Sequence, residues 1–170
     1  VLEPFVALAA AAAVTTTIKL ATGICLVVQR DPIQLAKSVA TLDRVANGRF
    51  LFGIGAGWMQ TDYDEAGIAY DRPGVRIERL GEALEIIRSM WENERTTFRG
   101  KHYRIENIAQ AAPLPAGSRP KILIGGGGPR VLRLAGRHAD IVGINPRLEE
   151  GKVTQHTAAD LAPERLDEKV

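Results

Sequence analysis

Apolar residues along the chain follow two alternating spacings. Pro4 to Val14 is an alanine-rich run whose composition suits an internal helix. Ile18 to Val28, IKLATGICLVV, is nearly continuous in Ile, Val and Leu, as strands covered on both faces are. Asp31-Pro32 then starts a helix, with Asp as cap and Pro in the first turn. Its Ile33, Ala36, Val39, Ala40 and Val45 keep helical spacing, and Asn47-Gly48 ends it. Arg49 to Ala56, RFLFGIGA, reads as the second strand, and Gln60 to Arg72 is polar. Val75, Leu80, Leu84, Ile87 and Trp91 mark a long helix over 75–92. Thr96 to Ile105 predicts a small hairpin turning at Arg99-Gly100. A Pro/Ala/Gly linker covers Ala111 to Pro120. Lys121 to Gly125 is the third main strand, Pro129 to about His138 a helix, and Ala139 to Asn145 the fourth strand. Residues 146–162 read as loop, and a last helix starts near Pro163.

Strand and helix therefore alternate, which implies a parallel α/β sheet with right-handed crossovers. Two architectures fit: an open doubly wound sheet, or part of a (β/α)8 TIM barrel, which takes about 250 residues. The chain of 170 residues begins at Val1 and stops two turns into a helical pattern. It is expected to be a fragment, cut at both ends, of one domain covering 1–170, and four units in such a chain favour part of a barrel. In both architectures function lies at the carboxyl ends of the strands.

Composition narrows the field. Lys plus Arg is 22 and Asp plus Glu is 20, a balance that argues against nucleic-acid binding. Cys25 is the single cysteine, so no disulfide framework exists within the chain, and a cytoplasmic setting is expected. The apolar run from Phe5 to Val14 is too short to span a bilayer, and no positive flank makes it a secretory signal.

Glycine gathers at the strand ends. Thr22-Gly23-Ile24-Cys25 places a glycine inside an apolar strand, which marks a bulge, a close ligand or simple backbone packing. Gly53-Ile-Gly55-Ala-Gly57-Trp58 strips side chains from one strand face and then adds a flat surface, as a planar ligand requires; room for neighbouring side chains is the alternative. Gly125-Gly126-Gly127-Gly128-Pro129-Arg130 joins a strand to a helix start. Its bare N–H groups and Arg130 suit an anion, above all a phosphate. Asn145 and Arg147 stand after the fourth strand as further donors or as an ordinary loop. The dinucleotide and Walker patterns both fail, because Trp58 or Gln60 and Arg130 or Val131 occupy the required glycine positions and no Lys-Ser or Lys-Thr follows. His102, His138 and His156 have no metal-ligand spacing, Asp62 to Glu65 breaks the calcium-loop pattern, and no serine has a GxSxG context.

Four landmarks occur in series: Thr22-Gly23 after its strand; Pro32-Ile-Gln-Leu-Ala-Lys37 with Ala40-Thr-Leu-Asp43 and Asn47-Gly-Arg49; Gly53 to Trp58; and Ile124 to Arg130. Arg76 to Leu84, Met90-Trp91 and Phe98-x-Gly100-x-x-Tyr103 fit beside them. Together they resemble the bacterial-luciferase-like flavin oxidoreductases, in the branch that uses the deazaflavin coenzyme F-420. The resemblance implies a TIM barrel of which about strands three to six are present, with a small β-hairpin insertion. It implies a non-proline cis peptide and bulge at Gly23-Ile24 behind the coenzyme ring, with Gly55, Gly57 and Trp58 alongside. It places the coenzyme phosphate on Gly126, Gly127 and Gly128, with Arg130, and with Asn145 and Arg147 as helpers. Where some sugar-phosphate dehydrogenase relatives carry a glutamate this chain has Trp58, so a sugar phosphate is not the expected substrate. The family's acid and histidine residues lie on strands one and two, so no catalytic proton donor is assigned here. The expected reaction is hydride transfer between reduced coenzyme F-420 and a small organic substrate, in a protein that is homodimeric at full length. The alternatives are an FMN-dependent monooxygenase using molecular oxygen and a non-catalytic flavin-binding protein. A free-standing half barrel is disfavoured, since it leaves two sheet edges open.

Overall fold

The computed structural model describes residues 2–109, 114, 117–147, 157 and 159–169. Carboxylates cap the first two helices. In α1 (Pro4–Val14) the Glu3 side chain accepts from the Val6 N–H, and in α2 (Pro32–Val45) Asp31 accepts from Ile33 and Gln34. The strand expected over Ile18 to Val28 is broken. It forms β1 (Leu20–Ala21) and β2 (Cys25–Leu26), and Val27–Gln29 then turn into one tight helical turn. Both pieces pair in parallel with β3 (Phe50–Gly55). Ala21 faces Leu51 and Cys25 faces Ile54, so Thr22 to Ile24 carry one residue too many for a straight ladder.

The polar segment after β3 holds a short helix, α3 (Gln60–Asp64), which apolar spacing does not reveal. The long helix, α4, opens at Pro73 and runs to Glu92. The hairpin β4 (Arg95–Arg99) and β5 (Arg104–Ala109) is antiparallel and separate from the main sheet. Then β6 (Lys121–Gly126), α5 (Pro129–His138) and β7 (Ile141–Ile144) complete the alternation before a last short helix, α6 (Pro163–Asp167). The main sheet is parallel, in the order β1-β3-β6-β7. The expected linker and the second loop fall partly outside the described residues, as does His156.

Side chains alternate across β3. Phe50, Phe52 and Ile54 are fully buried among Leu35, Val39, Leu80, Leu84, Ile87 and Trp91 of α2 and α4. Phe52 meets Trp91 edge-on at 6.2 Å, and the Trp91 indole N–H donates to the Ala36 carbonyl at 3.0 Å. The intervening positions, Gly53 and Gly55, turn to the opposite face. Thus one side of the sheet is a packed core, and the other carries glycines in place of side chains where β3 ends.

Candidate functional site

The extra residue in Thr22 to Ile24 closes over β3. The Gly23–Ile24 peptide is cis, as the resemblance implies. The Thr22 hydroxyl donates to the Gly53 carbonyl at 2.7 Å. A methyl on Gly53 would strike the Thr22 carbonyl oxygen, and one on Gly55 would strike the Ile24 side chain. These two glycines therefore make room for the bulge rather than lying open to a flat ligand, and Ile24 forms the exposed surface in their place.

Gly57 has φ +75°, a conformation that glycine adopts without a Cβ penalty. Tyr63 of α3 lies against it, fully buried, and donates from its hydroxyl to the Ala56 carbonyl at 2.6 Å. Burial pushes the Tyr63 phenol up from its ordinary pKa, so it stays a donor. Tyr70 does the same for the next carbonyl, reaching Trp58 O at 2.7 Å. Two tyrosines thus fix the backbone on which half-exposed Trp58 stands.

At the glycine elbow each bare Cα admits a neighbour. Gly125 faces the Asn145 amide, Gly126 the Val131 side chain and Gly127 the backbone of Pro146 and Arg147. The Asn145 N–H donates to Gly126 O at 3.0 Å, closing β7 on β6. Helix α5 starts here on Gly128 with no side-chain cap, unlike α1 and α2. Its first-turn N–H groups are left for another acceptor.

These three pieces surround one cavity of about 360 Å³ at the carboxyl ends of the main-sheet strands. Of the residues expected from the sequence, Gly23, Ile24, Gly55, Gly57, Trp58, Gly126, Gly127 and Asn145 line it. Gly128 stands at the helix cap outside it. Arg130 also lies outside: its guanidinium rests against Gly74 and sits 3.6 Å from the Glu78 carboxylate, and its side chain is 59% exposed. Arg147 borders a second, larger cavity of about 640 Å³ that meets the first at Gly127.

The cavity also contains a charge that the sequence reading passed over. Arg76, in the first turns of α4, lines it and is only 5% exposed. Its Nε and Nη1 are buried without a hydrogen-bond partner. Its guanidinium stacks on Tyr70, 4.1 Å from the ring centre, and lies 5.6 Å from that of Tyr63. The signal was present: Arg76 stands four residues before Leu80 and eight before Leu84, on the apolar stripe of its helix. A cation placed there is either paired or waiting for a partner, and no ion pair to it occurs among the described residues. Ala56, Pro73, Ile77, Val131 and Pro146 complete the wall. Among the described residues no group of His, Cys, Asp and Glu is placed to hold a metal ion, and no helix is long and apolar enough to cross a membrane. Cys25 is buried beneath the bulge, and loss of solvent pushes its thiol up to about 11, which leaves it protonated.

A parallel β/α sheet with glycine-rich strand ends around a cavity defines an α/β fold with room for a small molecule at the carboxyl ends of its strands. The chain belongs to the luciferase-like monooxygenase family, whose model matches residues 1–165. It is 39% identical over 127 residues to the uncharacterized protein Rv0953c of Mycobacterium tuberculosis, covering 75% of this chain and 44% of that protein. It is 31% identical over 180 residues to pyrimidine monooxygenase RutA of Acinetobacter baylyi (94% and 46%). It is 34% identical over 131 residues to an F420-dependent glucose-6-phosphate dehydrogenase of Kineococcus radiotolerans (76% and 38%). Among solved structures, the coenzyme F420-dependent tetrahydromethanopterin reductase of Methanopyrus kandleri matches with a TM-score of 0.76 at 27% identity, over 85% of this chain and 45% of that one. The fold is that of luciferase-like TIM barrels, and the chain spans less than half the length of these relatives. The family includes F420-dependent dehydrogenases and monooxygenases, so its chemistry is oxidoreduction on small molecules.

Proposed function

We propose that residues 1–170 form the coenzyme-holding part of a barrel oxidoreductase that moves a hydride between the deazaflavin coenzyme F-420 and a small organic substrate. The observation that carries this reading is Arg76, a buried cation with unpartnered N–H groups in a cavity bordered by the uncapped start of α5. Both features await the same thing, a compact anion such as a phosphate ester. Ile24 on the bulge and Trp58 on its tyrosine-fixed backbone give the rest of the cavity an apolar wall, which suits a flat aromatic ring. The residues present therefore fit a ring coenzyme that carries a phosphate. Such a coenzyme, when bound, supplies the hydride.

The chain's own residues then have distinct tasks. The elbow at Gly126 and Gly127 and the first turn of α5 hold the anion with backbone N–H groups. Arg76 neutralises it from the α4 side and is itself held by two tyrosine rings. Asn145 supplies a side-chain amide at the rim, and the apolar wall excludes water from one face of the ring. Arg130 is replaced by Arg76 as the anion's cation, because Arg130 lies along the outer surface of α4 and α5. No residue of this chain is assigned as the catalytic acid or base.

The relatives named for F420-dependent dehydrogenation support the deazaflavin. The RutA relatives and the family's monooxygenase description support the alternative, FMN with molecular oxygen. The test is titration of the intact protein with FMN and with coenzyme F-420, followed by turnover assays with and without oxygen. Tight binding of coenzyme F-420 with oxygen-independent turnover is the expected result. A preference for FMN with oxygen consumption selects the monooxygenase. In Gly127→Ala the new methyl would strike the Pro146 carbonyl, so binding of either coenzyme should fall by at least about tenfold. Undiminished binding in that variant overturns the site.

A further inference from the structure

The ring of Tyr70 serves two parts of the cavity at once. Its face carries the Arg76 guanidinium, 4.1 Å from the ring centre, and its hydroxyl donates to the Trp58 carbonyl at 2.7 Å. Arg76 and Trp58 come from different places, the first from α4 and the second from the turn between β3 and α3, and both line the cavity. Tyr63 braces the arrangement: its ring meets that of Tyr70 at 74° with centres 4.9 Å apart. Tyr70 itself stands on residues 65–72, which link α3 to α4. The Ile68 N–H donates to the Tyr63 carbonyl at 2.9 Å, and Asp71 pairs with Arg79 of α4 at 3.1 Å. The second of these is a partly exposed ion pair, which holds weakly. The stack on Arg76 is therefore the buried tie between Tyr70 and α4. Such a stack arises from the quadrupole of the ring and sets the guanidinium's orientation only loosely. An anion held by the two unpartnered nitrogens of Arg76 would set it firmly.

We propose that Tyr70 is a positioning residue that couples the anion site to the aromatic wall. An anion on Arg76 fixes the Tyr70 ring, and the Tyr70 hydroxyl then fixes the backbone of Trp58 at the cavity wall. The inference rests on the coenzyme reading above. It makes the hold on the two ends of the coenzyme cooperative rather than additive. The phosphate end raises the affinity of the ring end, and by linkage the ring end raises that of the phosphate by the same factor.

The experiment divides the coenzyme into its two ends and uses the intact protein. Inorganic phosphate stands for one end. Riboflavin and 8-hydroxy-5-deazariboflavin, both free of phosphate, stand for the other. Each ring is titrated with and without phosphate, with sodium chloride matching the ionic strength. In the parent protein phosphate should tighten the binding of one of the rings about fivefold. Tyr70→Phe keeps the aromatic face and removes the hydroxyl. Phosphate affinity in that variant should stay within about twofold of the parent, while the gain in ring affinity should fall to about one. Trp58→Ala keeps the carbonyl, removes the indole and should lose the gain as well, so it decides the matter if circular dichroism shows Tyr70→Phe to be misfolded. Fluorescence reads the same link without a ring. Trp58 is half-exposed and Trp91 fully buried, so the acrylamide-quenched emission that Trp58→Ala removes belongs to Trp58. Phosphate should protect it in the parent and not in Tyr70→Phe. A ring affinity that phosphate does not change while the whole coenzyme binds, or a gain that survives either substitution, overturns this inference and leaves the coenzyme reading standing. If neither the whole coenzyme nor a ring binds, both are overturned.

Discussion

Thr22 and Gly53 are interlocked, by side chain in one direction and by main chain in the other. The Thr22 hydroxyl donates to the Gly53 carbonyl at 2.7 Å, and the Thr22 carbonyl occupies the space that a side chain at position 53 would need. The obstacle is backbone, which cannot swing aside as a side-chain end can. Gly53→Ala should therefore cost more than about 2 kcal/mol of stability. It should also displace the Thr22–Ile24 bulge and weaken coenzyme binding. Gly136 in α5 is the control, since a methyl there meets nothing within 4 Å. Gly136→Ala should be neutral or stabilising by up to about 1 kcal/mol. Chemical denaturation of the two variants checks the pair, and similar losses in both would refute the interlock.

Arg76 sets stability against binding. Stacking on Tyr70 and Tyr63 returns about 0.5–2 kcal/mol. Burying a guanidinium with two unpartnered nitrogens costs several kcal/mol. The second effect is larger, so the coenzyme-free protein carries the difference as a strain relieved by an anion. Arg76→Met fills the same volume without the charge. It should leave the coenzyme-free protein as stable or up to about 3 kcal/mol more stable. Coenzyme affinity should fall by at least about tenfold. A variant that unfolds more readily and still binds would show that the guanidinium is merely structural.

Glu82 of α4 organises the hairpin. Burial alone would raise its carboxyl pKa, but backbone N–H groups of Lys101, His102 and Tyr103 donate to it at 2.8, 2.9 and 3.0 Å, and the net direction is downward. One carboxylate thus satisfies three successive N–H groups of the turn between β4 and β5. Glu82→Ala should destabilise the protein by about 1–3 kcal/mol. It should also speed amide exchange at residues 100–103 while leaving coenzyme affinity nearly intact, because the hairpin lies outside the cavity lining. Hydrogen exchange read by mass spectrometry distinguishes this local loosening from a global loss.

Much of this architecture was legible in the residue order. Apolar spacing places α2, α4, β3, β6 and β7, and the glycine clusters mark the strand ends that meet in the cavity. The misses share a cause: they depend on what a residue faces. Apolar spacing runs Ile18 to Val28 through as one strand, and the bulge at Gly23-Ile24 is expected only from the lone glycine and the family resemblance, because a one-residue excess shows only against the register of the partner. Gly53 and Gly55 read either as surface for a planar ligand or as room for neighbours, and the sequence does not choose because the Thr22 carbonyl and Ile24 that fill the space come from another strand. Arg130 read as the anion's cation from its place beside the glycines, but at the second helical position it points along the outside of α5 towards Glu78. Arg76, some 50 residues earlier in the chain, takes the interior position through helix phase alone. Local sequence reports where glycines gather; only the packed fold reports which cation lines the cavity beside them.

At the opposite end of the sheet, Asp140 before β7 joins two strands. It accepts from Arg119 through both carboxylate oxygens, at 2.7 and 2.8 Å, and its Oδ2 also accepts from the Ile122 N–H at 2.8 Å. The Arg119 hydrogen bond is the main reason its carboxyl is held below the ordinary value of 3.8, against the opposing effect of burial. A depressed carboxyl pKa stabilises the fold while the group is ionised. The contribution is whole above the ordinary value and disappears as pH falls through the lower, folded one. Stability should therefore decline below about pH 4. Asp140→Asn should remove about 1–2 kcal/mol at neutral pH and flatten part of that acid decline. Urea unfolding of parent and variant from about pH 3 to 7 gives the two profiles. A constant gap between them down to the lowest pH would mean that Asp140 acts through packing rather than through its charge. Since this pair sits far from the carboxyl ends of the strands, coenzyme affinity at neutral pH should not change in the variant, in contrast to Gly127→Ala.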